Sequence, residues 1–570
     1  MATINKRWRF LEIPAEEQHT LMRDLKIHPV ICGILAQRGI HSYEAAKKFF
    51  RPSMEDGHDP FLMKSMDKAV SRIITALKNN ESILVYGDYD VDGTTSVALV
   101  FDFLKKLKPT ATLEYYIPNR YREGYGLSTQ GVEYAIEKGF SLLITLDCGI
   151  KSVELVAEAK AKGIDTIICD HHLPGEELPD AIAILNPKQK DCPYPFKELC
   201  GCGVGYKLIQ ALCHELQLPP SAHLQYLEWV ATAIAADIVP INGENRTLAF
   251  HGIQKANTDP STGIKALMEL STINGKINIG NLSYMIGPRI NAAGRMDDAK
   301  KAVQLFIEKD SQKAKALAIL LQTDNSSRRE ADARITEEAM GMIAGDPTFS
   351  TRKSTVVYAP HWHKGVIGIV ASRLLEKYYR PTIVLTKSGD YWAGSARSIP
   401  GFNIHDALDE CRDLLKAFGG HYFAAGMTMM EDNLQAFSLK LDEIASRVLS
   451  EEQMIPEIII DAAVEPKDLT PSFYHILDQM EPFGPANPKP VFCILNAMNR
   501  GSRIVKNEHV RFDIEKDGAS IQGIGFNMAE KFLCMNENMP LDLVFTLEEN
   551  HYNNQTTLQM KVMDFRESVL

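Results

Sequence analysis

Short apolar runs alternate with helical patterns through the first part of the chain. After the first run, apolar residues recur over 94–107 at the spacing of an amphipathic helix. Ser128 and Ser152 precede two further patterns of this kind and are expected to cap their helices. The predicted strands are ILVY (83–86), TLEYYI (112–117), SLLITL (141–146) and DTIIC (165–169). Strands that alternate with helices of about 10–15 residues predict a mostly parallel sheet.

The pattern changes several times along the chain. Short amphipathic helices are predicted up to residue 80, a Pro- and Cys-rich loop over 174–195, and a second strand–helix alternation from STVVYAP (354–360) onward. From residue 456 short alternating strands, with hairpin signals at Asp517-Gly518 and Asn553-Asn554, predict a small β-barrel of the OB type. We therefore expect an α/β multidomain protein with an N-terminal helical region (1–80), a first α/β domain (81–298), a long connecting helix (299–345), a second α/β domain (346–452) and a C-terminal β-barrel (453–570).

The composition is that of an ordinary globular protein. Of 570 residues, 45% are apolar and 24% are charged, and a chain of this length needs more than one hydrophobic core. No apolar run approaches the roughly 18 residues of a membrane helix, and the N-terminus lacks an apolar secretion signal, so we expect a cytoplasmic protein. The ten cysteines match no zinc-binding spacing and are expected to be buried and reduced. The net charge of −11 argues against a nucleic-acid binder unless the acidity is concentrated at a metal site.

Three aspartates at alternate positions follow the first predicted strand. Asp88, Asp90 and Asp92 lead directly into Gly93. This is the first half of an EF-hand calcium loop, but Leu99 stands where that loop needs a glutamate, and a strand precedes it instead of a helix. An acidic turn without a ligand would bring three carboxylates together with no charge to offset them. A metal site is therefore the preferred interpretation.

Further carboxylates and two histidines follow other predicted elements. Asp147 and the triplet Asp170-His171-His172 each come directly after a strand, and Asp237 follows the helical WVATAIAA (229–236). The carboxyl ends of parallel strands meet at one edge of a sheet, where ligands bind. Carboxylates with one or two imidazoles suit Mn²⁺ or Mg²⁺, and their number predicts two ions about 3.5–4 Å apart. Because successive side chains of an extended chain point in opposite directions, one histidine is expected to face a metal and the other the substrate.

Several segments together resemble the DHH phosphoesterase superfamily. GDYDVDG (87–93), DCG (147–149) and CDHH (169–172) are similar to its motifs and, within it, to those of the RecJ-type single-strand-specific 5′-to-3′ exonucleases. The resemblance covers nearly the whole chain. It continues, in order, through YIPNRYREGYGLS (116–128), GPRINAAGRMDDA (287–299), HWHKGVIGIVASRL (361–374), GSARS (394–398), FGGHYFAAGMT (418–428) and EPFGPANPKPVF (481–492).

The resemblance implies a fold and a set of metal ligands. It implies a DHH domain and a DHHA1 domain that face each other across a cleft and are joined by a long helix, with an OB-fold at the C-terminus. Two Mn²⁺ or Mg²⁺ ions would be held by Asp88, Asp90, Asp92, Asp147, His171 and Asp237. Asp147 would bridge the ions. Tyr86 stands where pyrophosphatase relatives have a histidine ligand and cannot readily replace it. We therefore include Asp88 as a further candidate ligand.

The implied chemistry is metal-assisted hydrolysis of single-stranded DNA from its 5′ end, with release of 5′-mononucleotides. His172, Asp170 and Asp147 are the expected catalytic residues. His172 would contact the scissile phosphate or the leaving oxygen, or else support a metal ligand. Asp170 is expected to support its neighbours rather than to bind an ion.

Recognition of a 5′ end calls for phosphate-binding groups, and the planar fork of arginine grips phosphate in a bidentate manner. The matching segments supply the candidate substrate-binding residues Arg120, Arg289, Asn291, Ser395, Arg397, Gly419, Gly420 and His421. The glycines would let the backbone approach a nucleotide closely. An ordinary ion pair or turn is the alternative for each of these residues.

Two other functions stay open at this point. A relative that acts on short oligonucleotides or cyclic dinucleotides would share the motifs, but such relatives usually lack the N-terminal helices and the barrel. A non-catalytic scaffold that binds single strands would not need clustered carboxylates. The expected partner is single-stranded DNA, in recombination and repair. A single-stranded-DNA-binding protein and a helicase are candidate protein partners of a monomeric enzyme.

Overall fold

The structure is a computed structural model, and it describes residues 6–273, 275–535, 539–552 and 555–568. The chain forms two compact units. The first unit comprises Ile13–Asn325 and His475–Lys489, and the second unit comprises Met1–Glu12, Ser326–Tyr474 and Pro490–Leu570. Within the described ranges, no helix combines the length and the apolar character that crossing a membrane requires.

Helices dominate the chain before residue 80, as the sequence pattern predicts. From residue 6 onward, this region has short 3-10 turns at Met54–Asp56 and Pro60–Leu62, one strand and four α-helices: β1 (Arg7–Phe10), α1 (Ala15–Leu25), α2 (Pro29–Gln37), α3 (Tyr43–Phe50) and α4 (Met66–Asn79). The last helix ends where Asn80 adopts a left-handed conformation with φ 56°, which asparagine tolerates well. β1 has only four residues, and the sequence pattern did not reveal it.

The predicted parallel sheet lies in the first unit. Its strands and intervening helices are β2 (Ile83–Gly87), α5 (Val91–Leu107), β3 (Leu113–Tyr116), α6 (Thr129–Glu137), β4 (Leu142–Leu146), α7 (Val153–Ala161), β5 (Asp165–Cys169) and β6 (Ala183–Leu185). All neighbours pair in parallel in the order β3-β2-β4-β5-β6. β2 and β4 are buried along their whole length, which explains their largely apolar sequences.

Two details of this sheet differ from the sequence prediction. Ser128 caps α6 through its hydroxyl, which accepts the backbone N–H of Gly131 at 2.9 Å, whereas Ser152 precedes α7 without a capping hydrogen bond from its side chain. The predicted loop 174–195 contains β6 as a fifth strand. This strand has only three residues and lies between prolines, so periodicity could not reveal it.

Helices complete the first unit and lead into the second. They are α8 (Gly201–Glu215), α9 (Ser221–Leu224), α10 (Leu227–Asp237), α11 (Gly243–Thr258), α12 (Thr262–Leu270), α13 (Ile279–Asn281), α14 (Gly287–Met296), α15 (Lys300–Ile307) and α16 (Ser311–Gly345), with a π-helical turn over Leu282–Ile286. The predicted connecting helix is therefore two helices. The helix is interrupted between α15 and α16. Just before α16, the Asp310 carboxylate accepts the backbone N–H groups of Gln312 and Lys313, each at 2.9 Å.

The second unit contains the predicted second α/β pattern. Its elements are β7 (Thr355–Tyr358), α17 (Ile367–Tyr378), β8 (Thr382–Ser388), β9 (Tyr391–Arg397), α18 (Ile404–Glu410), β10 (Ala417–Gly420), β11 (Ala424–Met429) and α19 (Leu434–Val448). The strand order is β10-β11-β9-β8-β7. Only β7 and β8 pair in parallel, so this sheet is mixed.

The C-terminal strands close into the predicted barrel. The elements are β12 (Glu457–Ile460), β13 (Ala462–Ala463), α20 (Pro471–Asp478), β14 (Phe492–Asn499), β15 (Arg503–Val505), β16 (His509–Lys516), β17 (Ala519–Gly525), α21 (Ala529–Leu533), β18 (Leu541–Tyr552) and β19 (Gln555–Glu567). The order β14-β18-β19-β17-β16 returns to β14, so this sheet closes on itself. Asp517 and Gly518 form the predicted turn with φ of 52° and 79°. The predicted turn Asn553-Asn554 lies outside the described residues.

Candidate metal centre

The carboxylates gather at the carboxyl-terminal edge of the parallel sheet. β2 leads into Asp88, β4 into Asp147 and β5 into Asp170. Because parallel strands all end at the same edge of a sheet, these three residues lie at one edge. Asp92 lies in the first turn of α5, and Asp237 is the last residue of α10. These residues are far apart in sequence, and the topology of the sheet and its helices brings them together.

His171 stands at the centre of the group. Its Nε2 lies 3.1 Å from Oδ1 of Asp147, 3.6 Å from Oδ2 of Asp237 and 3.9 Å from Oδ2 of Asp92. One ligand atom from each of Asp92, His171 and Asp237 falls within 4.8 Å of the others, and the same holds for Asp147, His171 and His172. We call Asp92, Asp147, His171 and Asp237 the acidic cluster.

The N-terminus of α8 fixes Asp92. The carboxylate oxygens of Asp92 accept the backbone N–H groups of Gly201 and Cys202 at 2.6 and 2.7 Å, which places a negative charge at the positive end of the helix dipole. Asp147 packs against the same turn. A Cβ atom at Gly201 would lie 2.6 Å from both Cβ and Oδ1 of Asp147, so only glycine fits there.

Burial and mutual repulsion raise the pKa of the clustered carboxyl groups. Burial, and then the charge of Asp90, raises the pKa of Asp92 to about 7. Burial and the charge of Asp92 raise the pKa of Asp147 and Asp237 well above the usual range. In contrast, burial and the charge of His172 lower the pKa of His171 to about 3, so its ring is neutral, which is the form that binds metals.

Asp88 and Asp90 flank the acidic cluster. The side chain of Asp90 caps α5 and accepts the backbone N–H of Gly93 at 3.0 Å. Asp88 is fully buried, and neither of its carboxylate oxygens has a hydrogen-bond partner among the described residues. Burial and the charge of Asp90 raise the pKa of Asp88, and the nearby N–H groups of Tyr89 and Gly126 offset this only in part.

A second line of contacts holds His172 beside the acidic cluster. Oδ1 of Asp170 lies 2.7 Å from Nδ1 of His172, and the backbone N–H groups of His171 and His172 donate to the same oxygen at 2.7 and 3.0 Å. On the other side, Nε2 of His172 lies 3.0 Å from the hydroxyl of Tyr125, which also donates to the backbone oxygen of Asp147 at 3.1 Å. Asp170 therefore orients the ring of His172 and holds the backbone of both histidines.

The charges of Asp170 and His172 support each other. Burial would raise the pKa of Asp170, but the hydrogen bond and charge of His172 lower it to about 2. Burial would likewise lower the pKa of His172, but the hydrogen bond and charge of Asp170 outweigh it and the pKa lies above its usual value. The side chain of His172 is 34% exposed, so this imidazole can reach a substrate.

The donor set fits hard divalent cations. Oδ1 of Asp147 is buried and accepts no hydrogen bond from the part of the chain that the structure describes, and the same holds for both oxygens of Asp88. Buried carboxylate oxygens without partners are costly unless a cation offsets them. Oxygen ligands with a single neutral imidazole suit Mn²⁺ or Mg²⁺.

Three predicted substrate-binding residues belong to the first unit. The guanidinium of Arg120 lies over the ring of Tyr89, 4.8 Å from its centroid, and Tyr89 stands between Asp88 and Asp90 in sequence. Oδ1 of Asn291 accepts the backbone N–H of Val91 at 3.1 Å, which ties α14 to the start of α5. Arg289 donates from Nε to Gln322 at 2.7 Å and from its Nη1 to the carbonyl of Met285.

The other predicted substrate-binding residues lie together in the second unit. Nη1 of Arg397 donates to Oγ of Ser395 at 3.2 Å, and both residues lie on β9. β11 pairs with β9 on one side and with β10 on the other. Gly419 and Gly420 at the end of β10, and His421 directly after it, therefore lie two strands away from Ser395 and Arg397 in the same sheet. Gly420 has φ 152°, and a Cβ atom there would lie 2.4 Å from the carbonyl oxygen of Ala424. No other residue fits at that position.

Sequence reasoning missed two contributors to the site. Tyr125 was part of a matching segment but was not singled out, and Asn186, which donates to the carbonyl of His172 at 2.9 Å, lies beyond β6 in the predicted loop. No sequence signal pointed to Asn186. Tyr86, in contrast, is buried, and its hydroxyl donates to the carbonyl of Gly126 at 2.8 Å.

Comparison with family models divides the chain into three matching parts. The DHH family N-terminal domain matches residues 82–234, the DHHA1 domain matches 352–447 and the RecJ OB domain matches 460–564. The first match contains both histidines and every aspartate of the sheet edge except Asp237, which lies just beyond it.

Curated proteins and solved structures match over nearly the whole chain. The single-stranded-DNA-specific exonuclease RecJ of Bacillus subtilis is 37% identical over 99% of this chain and 71% of its own length, and that of Escherichia coli is 32% identical over 94% and 95%. The crystal structure of RecJ from Thermus thermophilus in complex with Mn²⁺ is similar with a TM-score of 0.86 and 27% identity, and it covers 99% of this chain and 80% of that chain. A second structure, in complex with Mg²⁺, gives a TM-score of 0.79 and 26% identity over 99% and 79%.

Proposed function

This chain belongs to the RecJ family of single-stranded-DNA-specific exonucleases, and from that premise we propose how its own residues perform the reaction. It is a metal-dependent nuclease that hydrolyses single-stranded DNA in the 5′-to-3′ direction and releases 5′-mononucleotides. The observation that carries the proposal is the convergence of the acidic cluster with His172 at one sheet edge.

Two divalent ions are proposed to bind Asp90, Asp92, Asp147, His171 and Asp237. Asp147 is the proposed bridge, because its buried Oδ1 lacks a hydrogen bond and faces His171. Asp88 is kept as a further ligand on the ground of its two unpartnered oxygens. When bound, such ions activate a water nucleophile and offset charge on the phosphate.

His172 is the proposed contact to the scissile phosphate. Asp170 fixes the ring from the Nδ1 side, so Nε2 is presented to an oxygen 3.0 Å away, at present the hydroxyl of Tyr125. A phosphate oxygen in that position would meet the same nitrogen. His172 therefore binds or protonates an oxygen of the substrate, while Asp170 holds the ring in place.

Recognition of the 5′ end is assigned to the two groups of polar residues. Arg120, Arg289 and Asn291 are the proposed DNA contacts of the first unit. Those of the second unit are Ser395, Arg397, Gly419, Gly420 and His421. The division into domains at 81–298, 299–345, 346–452 and 453–570, after N-terminal helices, is part of the same proposal. The three matches to family models fall within the corresponding ranges.

Degradation of a labelled single strand tests the proposal. A strand of about 30 nucleotides with a 5′-phosphate and a 3′-fluorophore, incubated with the purified chain and Mn²⁺, is expected to shorten from its 5′ end and to yield 5′-mononucleotides. The same strand in a blunt duplex should stay intact. Efficient cleavage of a dinucleotide with none of the long strand would favour the short-oligonucleotide phosphodiesterase, and binding without cleavage would favour a scaffold.

Replacing Asp170 with asparagine is expected to lower kcat by about 10²–10³-fold. Asparagine keeps the shape but loses the charge that holds Nδ1 of His172, and loss of an orienting partner of this kind is costly. Single-turnover degradation of the labelled strand measures the effect. Because Asp170 is not a proposed ligand, the affinity for Mn²⁺ should change far less than kcat; equal loss of both would place Asp170 among the ligands.

The cellular setting follows from the proposed activity. We place the chain in the bacterial cytoplasm as a monomer that acts in recombination and repair. The proposed protein partners are a single-stranded-DNA-binding protein and a helicase, since both supply or expose single strands.

A further inference from the structure

The π-helical turn Leu282–Ile286 carries the most exposed large side chain with apolar character in the described part of the chain. Tyr284 is 82% exposed, whereas Leu282 and Ile286 at the two ends of the same turn are fully buried. No hydrogen bond, ion pair or ring contact involves Tyr284 among the described residues. The ring is thus held outward on a firmly anchored turn.

Exposure alone carries little weight, because isolated apolar residues are common on protein surfaces. The position of Tyr284 is the stronger observation. One helical turn further on, a Cβ atom at Gly287 would lie 3.5 Å from Cβ of Ala236, the neighbour of Asp237. The same segment continues to Asn291, which hydrogen-bonds to Val91 beside Asp90 at 3.1 Å. The segment that follows the turn therefore packs against residues that adjoin two of the proposed metal ligands, Asp237 and Asp90.

Contacts on both sides of the π-helical turn hold it in place. Asn278 and Asn281 form a reciprocal capping box before it, and Nδ2 of Asn281 contacts Sδ of Met285 at 3.3 Å. After the turn, Nη1 of Arg289 donates a hydrogen bond to the carbonyl of Met285. π-Helical turns occur frequently at functional sites, where they reorient a side chain.

We propose that Tyr284 is a stacking platform for an unpaired base of the DNA strand. This inference rests on the proposed nuclease function and adds a contact that no metal ligand or phosphate-binding residue provides. Aromatic rings bind single strands by stacking, since every base has an apolar face. Arg289, five residues along the chain, supplies positive charge for a neighbouring phosphate. A base in a duplex is already stacked on both faces, so the platform favours single strands.

Binding in EDTA tests the platform without turnover. The probe is a 5′-phosphorylated thymidylate strand of about 20 nucleotides with a 3′-fluorophore, measured by anisotropy. Tyr284→Ala is expected to raise Kd by roughly 5- to 150-fold, and Tyr284→Phe should stay within about twofold of the parent. Tyr43→Ala is the matched control, because Tyr43 is also exposed, at 50%, but lies on α3. This control should bind like the parent chain.

A series of strands with one abasic site identifies the base concerned. With the parent chain, one or two abasic positions should weaken binding, and Tyr284→Ala should be insensitive at those positions only. Equal affinity of Tyr284→Ala and the parent, or equal sensitivity of both to every abasic position, would overturn the proposal. Mn²⁺-dependent degradation by the parent chain is measured in parallel. Its absence would reject the nuclease function itself, whereas its presence with an inert Tyr284→Ala rejects only the platform.

Discussion

Asp147→Asn is expected to abolish nuclease activity, with a loss of at least roughly 10³-fold in kcat. Asp147 contributes a buried oxygen that has no hydrogen-bond partner in the described part of the chain and faces His171, and asparagine would offer an amide in place of the proposed bridging carboxylate. Lewis-acid stabilisation by bound ions is worth several kcal/mol, which corresponds to a loss of this size. Degradation of the 5′-phosphorylated strand in Mn²⁺ measures it.

The same substitution should leave folding intact. Burial and repulsion from Asp92 disfavour the charged form of Asp147, so a neutral side chain of equal shape should not destabilise the metal-free protein. Asp165→Asn is the matched control, because Asp165 lies at the opposite end of β5 and pairs with Arg72 at 2.6 Å. It should retain activity. Turnover by a folded Asp147→Asn would reject the proposed bridge.

Mn²⁺ is expected to stabilise the first unit, and more strongly at pH 7 than at pH 5. Without ions, Asp92, Asp147 and Asp237 have pKa values above those of the unfolded chain. The folded chain then binds more protons than the unfolded chain, so its stability falls as pH rises from about 4 upward, through about 7 for Asp92. Bound ions remove this penalty. At 100 times Kd, each site adds about 2.7 kcal/mol.

Thermal unfolding with and without EDTA, at a series of pH values, measures this effect. The EDTA curves should show a transition that moves to lower temperature as pH rises, and Mn²⁺ should reverse most of that movement. In Asp147→Asn the shift with Mn²⁺ should shrink sharply, since a proposed shared ligand is gone. A parent chain whose transition ignores Mn²⁺ at every pH would contradict the assignment of the acidic cluster as a metal site.

Strong local periodicity made much of the fold predictable. The strand DTIIC (165–169) was predicted to the residue because its buried part ends in the apolar run Ile167, Ile168 and Cys169. The sequence did not reveal β6 and β1, because three or four residues carry too little periodicity. The interruption of the helix before α16 was not predicted, because Lys309 and Asp310 also occur within helices. Only the capping hydrogen bond of Asp310 reveals it.

The candidate site was predictable where topology dictates it. Asp88, Asp147 and Asp170 could be grouped in advance because parallel strands end at one edge. The partners of these residues could not. The contact of Tyr125 with His172 depends on the path of an irregular loop, and the grip of α8 on Asp92 depends on tertiary packing across 109 positions of sequence. Neither leaves a periodic signal.

Gly201 limits which substitutions the metal centre can tolerate. Its backbone N–H holds Asp92, and the space where its side chain would stand is filled by Asp147. Even an alanine would collide with the side chain of Asp147 and disturb the backbone N–H that holds Asp92, although position 201 itself has no side chain to offer the reaction. Engineering a new ion preference or pH optimum should therefore vary the residues that face solvent and treat this glycine as immutable.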